Sequence, residues 1–162
     1  MSELVLLPVP QTELLLRPPP ISQAGTEFRS RSPVATAIQL TAGDQPVILP
    51  SDTLRAALTV PLASSERRFE LRYQLSGVTI RSTPSKAGRA LAAIGPLTGV
   101  VAADLPVAVT VIGDGVRNLE CRQLALDERA CASGELPELR VNRVLRWQES
   151  VVVVQLDLSS PR

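Results

Sequence analysis

The sequence predicts an all-β protein, an antiparallel β-sandwich or partly open barrel, and three observations carry that prediction. Residues 69–76 alternate strictly. Phe69, Leu71, Tyr73 and Leu75 fall on one face, and Glu70, Arg72, Gln74 and Ser76 on the other, the period of a strand with one buried side. Asp-Gly lies between two apolar runs, 106–112 and 116–122, within Gly113-Asp114-Gly115, which is a hairpin signal because glycine accepts the positive φ such turns need. Finally, aliphatic residues make up nearly all of the hydrophobic 44% of the chain: Phe28, Phe69, Tyr73 and Trp147 are the only aromatics. A core of Val, Leu, Ile and Ala suits closely spaced β layers.

The elements follow in order. Apolar runs at 3–7 and 13–17 are punctuated by Pro8, Pro10 and Pro18 to Pro20. Proline cannot donate to a ladder, so these runs are edge strands or extended arm segments. Residues 1–33 read as a proline-rich extended N-terminal arm, and residues 34–162 as a single β-rich domain. Leu4, Leu6, Leu14 and Leu16 need a groove, on this domain or on a neighbour, and are candidate interface residues. Strands are expected at 34–40 and 46–49 around Ala42-Gly43-Asp44, and more weakly at 51–60. Gly77 breaks the phase of the 69–76 strand and marks a bulge or bend. One short helix is expected: Thr83 caps it, Pro84 takes its first position, and Gly95-Pro96 stops it. Ala87, Ala90, Leu91 and Ile94 form its apolar stripe, although Gly88 costs about 1 kcal/mol there. A second hairpin is expected from 139–147 and 151–158 across Gln148-Glu149-Ser150, with Val151 to Val154 buried on both faces.

Composition removes several chemistries. There is no histidine among the 162 residues, so Ser-His-Asp and Cys-His arrangements are absent and the commonest base and metal ligand are missing. Lys86 is the only lysine among 17 cations, and a Ser-Lys dyad would have to use it in the first turn of the predicted helix. No phosphate loop, nucleophile elbow or calcium loop is present. Asp127 with Glu128, and Glu135 with Glu138, read as solvated loop acids, since nothing fixes a carboxylate pair about 5–10 Å apart across a sugar cleft. No cofactor, metal or small-molecule substrate is implied. The net charge of +1 is no footprint for nucleic acid, despite the pairs Arg29 with Arg31 and Arg67 with Arg68. Arg140, Arg143, Arg146 and Trp147 share one predicted strand, but alternation splits them between faces, leaving solvated arginines around a core or interface tryptophan. No run is long enough to span a membrane.

Two features keep alternatives open. Cys121 and Cys131, the only cysteines, either close a disulfide loop worth about 3 kcal/mol or remain free buried thiols. Pro18 to Pro20 after Arg17 is either a polyproline ligand or part of an arm docked on a neighbouring subunit. Without a charged n-region and apolar h-region, a cytoplasmic or virion-associated location is favoured over a secreted one. The expectation is a non-enzymatic structural or assembly protein, such as a multi-copy virion or decoration-type subunit of a GC-rich bacterium or its phage. Its partners are protein subunits, as a homo-oligomer or larger assembly. The alternative is a secreted or periplasmic β-sandwich binding module. An enzyme ranks third and would need a deep pocket with convergent acids.

Overall fold

A computed structural model of the chain describes residues 1–81, 88–99 and 106–158. The fold is all-β: antiparallel sheets, none of them closed into a barrel, with the helical residues described confined to short 3-10 turns. The chain forms two compact units. The first comprises Met1–Pro19, Ser32–Gly77 and Pro96–Val101; the second comprises Pro20–Arg31, Val78–Gly95 and Ala102–Arg162.

The first unit is a four-stranded sheet made from β1 (Ser2–Leu16), β2 (Val34–Ala42), β3 (Gln45–Val47) and β4 (Leu58–Ser76), in the order β1-β4-β2-β3. Its spine is the long β1–β4 ribbon. Pairing runs from Ser2↔Arg72 to Leu6↔Arg68, is interrupted, passes through Gln11↔Glu66 in a shifted register, and regains its first register at Glu13↔Pro61, seven residues further on each strand. The interruption coincides with Pro8 and Pro10, which have no N–H to offer a ladder. Side chains satisfy the carbonyls freed there: Arg67 Nε donates to Leu7 O at 3.1 Å and Gln11 Nε2 to Val9 O at 3.1 Å.

The ribbon doubles over at this point. In a straight strand Glu3 and Arg17 would stand ~45 Å apart. Yet Leu97 bonds both: its N–H donates to the Glu3 carboxylate at 2.8 Å, and its C=O accepts from Arg17 N at 2.8 Å. The fold changes the phase of burial. Val5 and Leu7 are buried before the bend, Leu14 and Leu16 after it; on β4, Val60 is buried before its irregular stretch and Phe69, Leu71 and Tyr73 after it. The alternation expected over 69–76 is observed in those three residues.

The second unit has a four-stranded sheet in the order β5-β6-β13-β9, from β5 (Thr79–Arg81), β6 (Gly88–Ile94), β9 (Val116–Glu120) and β13 (Val152–Leu158). Two smaller sheets accompany it. One is β10-β11-β8, from β8 (Thr110–Ile112), β10 (Ala132–Ser133) and β11 (Glu138–Val141); the other pairs β7 (Pro106–Val107) with β12 (Leu145–Arg146). Val116, Leu119, Leu139, Leu145, Val152, Val154 and both cysteines, drawn from all three sheets and their links, form one core. Val151 to Val154 are all buried, as expected of a β-branched run at the centre of a sheet with neighbours on both sides.

Three local expectations are corrected. The helix predicted from Thr83 to Ile94 is a strand over Gly88–Ile94, paired along its whole length with β13 and in part with β5; residues 82–87 lie outside the described residues. Alanine's helix preference is worth only tenths of a kcal/mol per residue over most residues, and ladders on both sides outweigh it. Gly113-Asp114-Gly115 does make a turn, closed by Val116 N to Gly113 O at 2.9 Å, but not a hairpin: β8 pairs β11 while β9 pairs β13. Gln148-Glu149-Ser150 likewise joins no hairpin. Trp147–Glu149 is a 3-10 turn between β12, which pairs β7, and β13. Both turns pass the chain from one sheet to another.

Gly77 ends β4 at a φ of 72°, and a Cβ there would lie 2.3 Å from Ser32 O, a backbone atom. Gly77→Ala is therefore expected to lower the unfolding free energy by about 2 kcal/mol or more. Urea denaturation reads this directly; an unchanged midpoint would show that the Ser32 backbone yields without loss.

Candidate functional site

Among the described residues, two places combine exposure with chemistry, one in each unit. In the first it is the outer edge of β1. Met1 and Tyr73 exchange both backbone bonds, Met1 N to Tyr73 O at 2.6 Å and Tyr73 N to Met1 O at 3.0 Å. Alternation along an antiparallel pair then gives Glu3 and Val5 the bonds to β4 and turns the N–H and C=O of Ser2, Leu4 and Leu6 away from the sheet. Among the described residues no strand pairs with them: β1 is the sheet's edge, and its one other bridge, Leu16↔Thr98, covers the far half. Leu4 and Leu6 are 59% and 62% exposed.

Glu3 carries the one charged side chain in the first ten residues, and it faces inward. The side chain is half-buried overall, but its carboxylate lies in the interior, accepting from Leu97 N at 2.8 Å and Thr98 N at 3.3 Å. Burial pushes its carboxyl above the usual range, against the pull of these bonds. Burial, and secondarily the Glu3 charge, also pushes the Tyr73 phenol up.

In the second unit, Cys121 and Cys131 form a disulfide, with Cα atoms 5.8 Å apart and both residues buried. The loop it closes carries Arg122 and Arg129 to the rim of an open recess of about 510 Å³, shared with Gln23, Thr26, Glu27 and Glu120. Arg122 is held from two sides: Nε donates to Glu120 at 3.0 Å and Nη1 pairs with Glu27. Glu27's own backbone N–H, aided by Arg122, holds its carboxyl below the usual range despite some desolvation. A carboxylate kept ionised in this way is a poor general acid, and the recess balances two acids against two guanidinium groups.

The interface candidates divide. Leu4 and Leu6 are on the surface, while Leu14 and Leu16 are 3% and 0% exposed and belong to the core, as does Trp147. The parity change at Pro8–Pro10 separates the two leucine pairs. Pro19 is buried and Pro18 and Pro20 are half-buried, so the polyproline run is packed in place. Arg140 pairs with Glu138 at 2.7 Å and Arg143 with Glu128 at 2.6 Å, which ties those arginines and acids together at the surface. Lys86 lies outside the described residues. No group of three metal-ligating side chains occurs, and no helix is long and apolar enough to cross a membrane, among the described residues. Reading along the chain missed the recess, because its residues come from distant segments. It also missed Glu3, whose signal was a lone carboxylate in an apolar run.

No protein-family model matches the chain, nor does any curated protein or solved structure resemble it significantly.

Replacing both cysteines, Cys121→Ala with Cys131→Ala, should lower stability by about 3 kcal/mol, the loop-closure entropy returned to the unfolded chain. Urea midpoints report it; a loss below about 1 kcal/mol would show that the unfolded chain stays restrained there without the bond. Glu3 predicts a pH effect of definite sign. Its folded pKa is raised above the ordinary 4.5, so the folded state binds the proton more tightly. The stability it contributes is present at low pH and is lost as pH rises from 4.5 through the raised value. Glu3→Gln cannot ionise and should lack this fall. Parallel stability curves for wild type and variant across that window would show that Glu3 titrates as it does in water.

Proposed function

We propose that this chain is a non-catalytic structural protein that assembles with protein subunits by accepting a strand at the open edge of β1. The observation that carries the reading is the coincidence, at Ser2, Leu4 and Leu6, of outward backbone groups with exposed apolar side chains. Strand addition uses both, the amides for affinity and alternate side chains for specificity. Isolated edges in soluble proteins are normally blunted by charge, proline or brevity. The opposite edge of the same sheet, β3, has three residues and contains Pro46. The far half of β1 is covered at Leu16 by Thr98. Among the described residues of this sheet, only the near half lacks such protection, because Glu3 is turned inward and the prolines come after it. A multi-copy shell or decoration-type subunit is the setting that fits best.

A second reading has its own support. The Cys121–Cys131 bond favours an oxidising compartment, and with it an exported binding module. Trapping thiols by alkylation in the cells that make the protein separates the two settings: bonded cysteines there favour export, free thiols the cell interior.

The assembly reading is checked by amide hydrogen exchange on dilute protein. Leu4 and Leu6 should exchange at near-unfolded rates while Val5, bonded to β4, is protected by about 100-fold or more. Protection of Leu4 and Leu6 in the dilute monomer would mean the edge is closed within the chain, and the reading fails.

A further inference from the structure

Resting on that reading, we infer that the strand received by the β1 edge is the same edge of a second copy, antiparallel about a two-fold axis at Leu4. A two-fold interface presents one surface to itself, so the surface must be self-complementary. The residues that point outward here, Ser2, Leu4 and Leu6, are all uncharged. The one carboxylate of the segment is withdrawn inside on Leu97 and Thr98. On the neighbouring β4, the residues opposite them are Arg72, Glu70 and Arg68. With two β1 strands between the β4 strands of the two copies, their like charges stand about 14 Å apart, from ~4.8 Å per strand. That exceeds a Debye length of ~8 Å at physiological salt.

The register follows from two residues. Ser2, Leu4 and Leu6 carry the outward amides, so they must pair with one another across the axis. Moving the axis toward the N-terminus by one residue sets Glu3 directly against its twin. Moving it the other way sets Ser2 against Pro8, which has no N–H to give. With Leu4 on the axis, Leu4 meets Leu4 and Ser2 meets Leu6, every amide is used, and four leucines form one cross-strand cluster.

Single-cysteine variants of the full chain test this under mild oxidation, with the native disulfide buried and out of reach. Leu4→Cys should cross-link to itself, since opposed Cα atoms lie ~5.5 Å apart. Ser2→Cys and Leu6→Cys should each cross-link at least about 10-fold more slowly alone, their twins being ~13 Å away along the strand, yet link readily when mixed. Light scattering should find a dimer, and Leu4→Lys with Leu6→Lys a monomer of unchanged circular dichroism. If that variant fails to fold, the cross-linking pattern still decides. A monomer at all concentrations overturns the inference, as does a dimer in which Leu4→Cys does not link. In either case fast exchange at Leu4 and Leu6 in dilute protein leaves the assembly reading standing with a different strand as guest, whereas protected amides there remove both.

Discussion

The constraint on which the first unit depends is the attachment of Leu97 to both ends of β1. One residue accepts from Arg17 through its C=O and donates to the Glu3 carboxylate through its N–H, groups that a straight strand of that length would hold far apart. The ribbon must therefore fold, and it folds where Pro8 and Pro10 already interrupt the ladder. Once folded, its halves can share one interior. Leu14, Leu16 and Val60 from one half, and Val5, Phe69, Leu71 and Tyr73 from the other, are all buried. Each large apolar side chain sunk there contributes roughly 1.5–3 kcal/mol. A buried carboxylate is an expensive clasp, but the backbone N–H groups of Leu97 and Thr98 also need acceptors, and Glu3 supplies them.

The parts that were legible in the sequence were those whose signal is local. Alternation over Phe69 to Tyr73 predicted which residues face inward, and the valine run at 151–154 predicted a central strand. Turn residues were also correctly located: the chain turns at Gly43, Gly77 and Gly113-Asp114-Gly115. What local signals do not contain is the identity of the partner. An Asp-Gly turn looks the same whether its flanking strands pair with each other or, as β8 and β9 do, with β11 and β13. The 88–94 segment failed for the complementary reason. Its alanines favour a helix in isolation, but its structure is decided by β13, some sixty residues further on. The four leucines Leu4, Leu6, Leu14 and Leu16 were grouped as interface candidates, but the bend at Pro8–Pro10 separates the exposed pair from the buried one, and two prolines alone do not announce that change of face.

The second unit handles charge differently. Arg122, Arg140 and Arg143 are each held by acids. Pairs at such partly exposed positions contribute little to stability, about 0–1 kcal/mol, but they fix side chains and cancel fields. Within the Cys121–Cys131 loop this holds Arg122 at the rim of the recess between Glu27 and Glu120. The disulfide and the ion pairs act on different states: the bond restricts the unfolded chain, while the pairs select one arrangement of the folded loop.

The bend that buries Leu14 and Leu16 is also what leaves Leu4 and Leu6 in water. Burial at 14 and 16 follows from the core, and any apolar residue of similar size there serves the fold. Positions 4 and 6 are different. The inward face of that half is already filled by Val5 and Leu7, so nothing within the first unit requires leucine on the outward face, and a polar residue would be tolerated. Serine at position 2, on the same face, shows that the strand accepts one. Exposed apolar residues scattered singly need no explanation, but these two are consecutive on one face of a strand whose outward amides find no partner strand among the described residues. A fold that draws the one carboxylate of this segment inside and keeps its prolines beyond the open stretch has left that stretch able to pair. On the proposed assembly, the leucines at both positions serve a strand that completes the sheet from outside this unit.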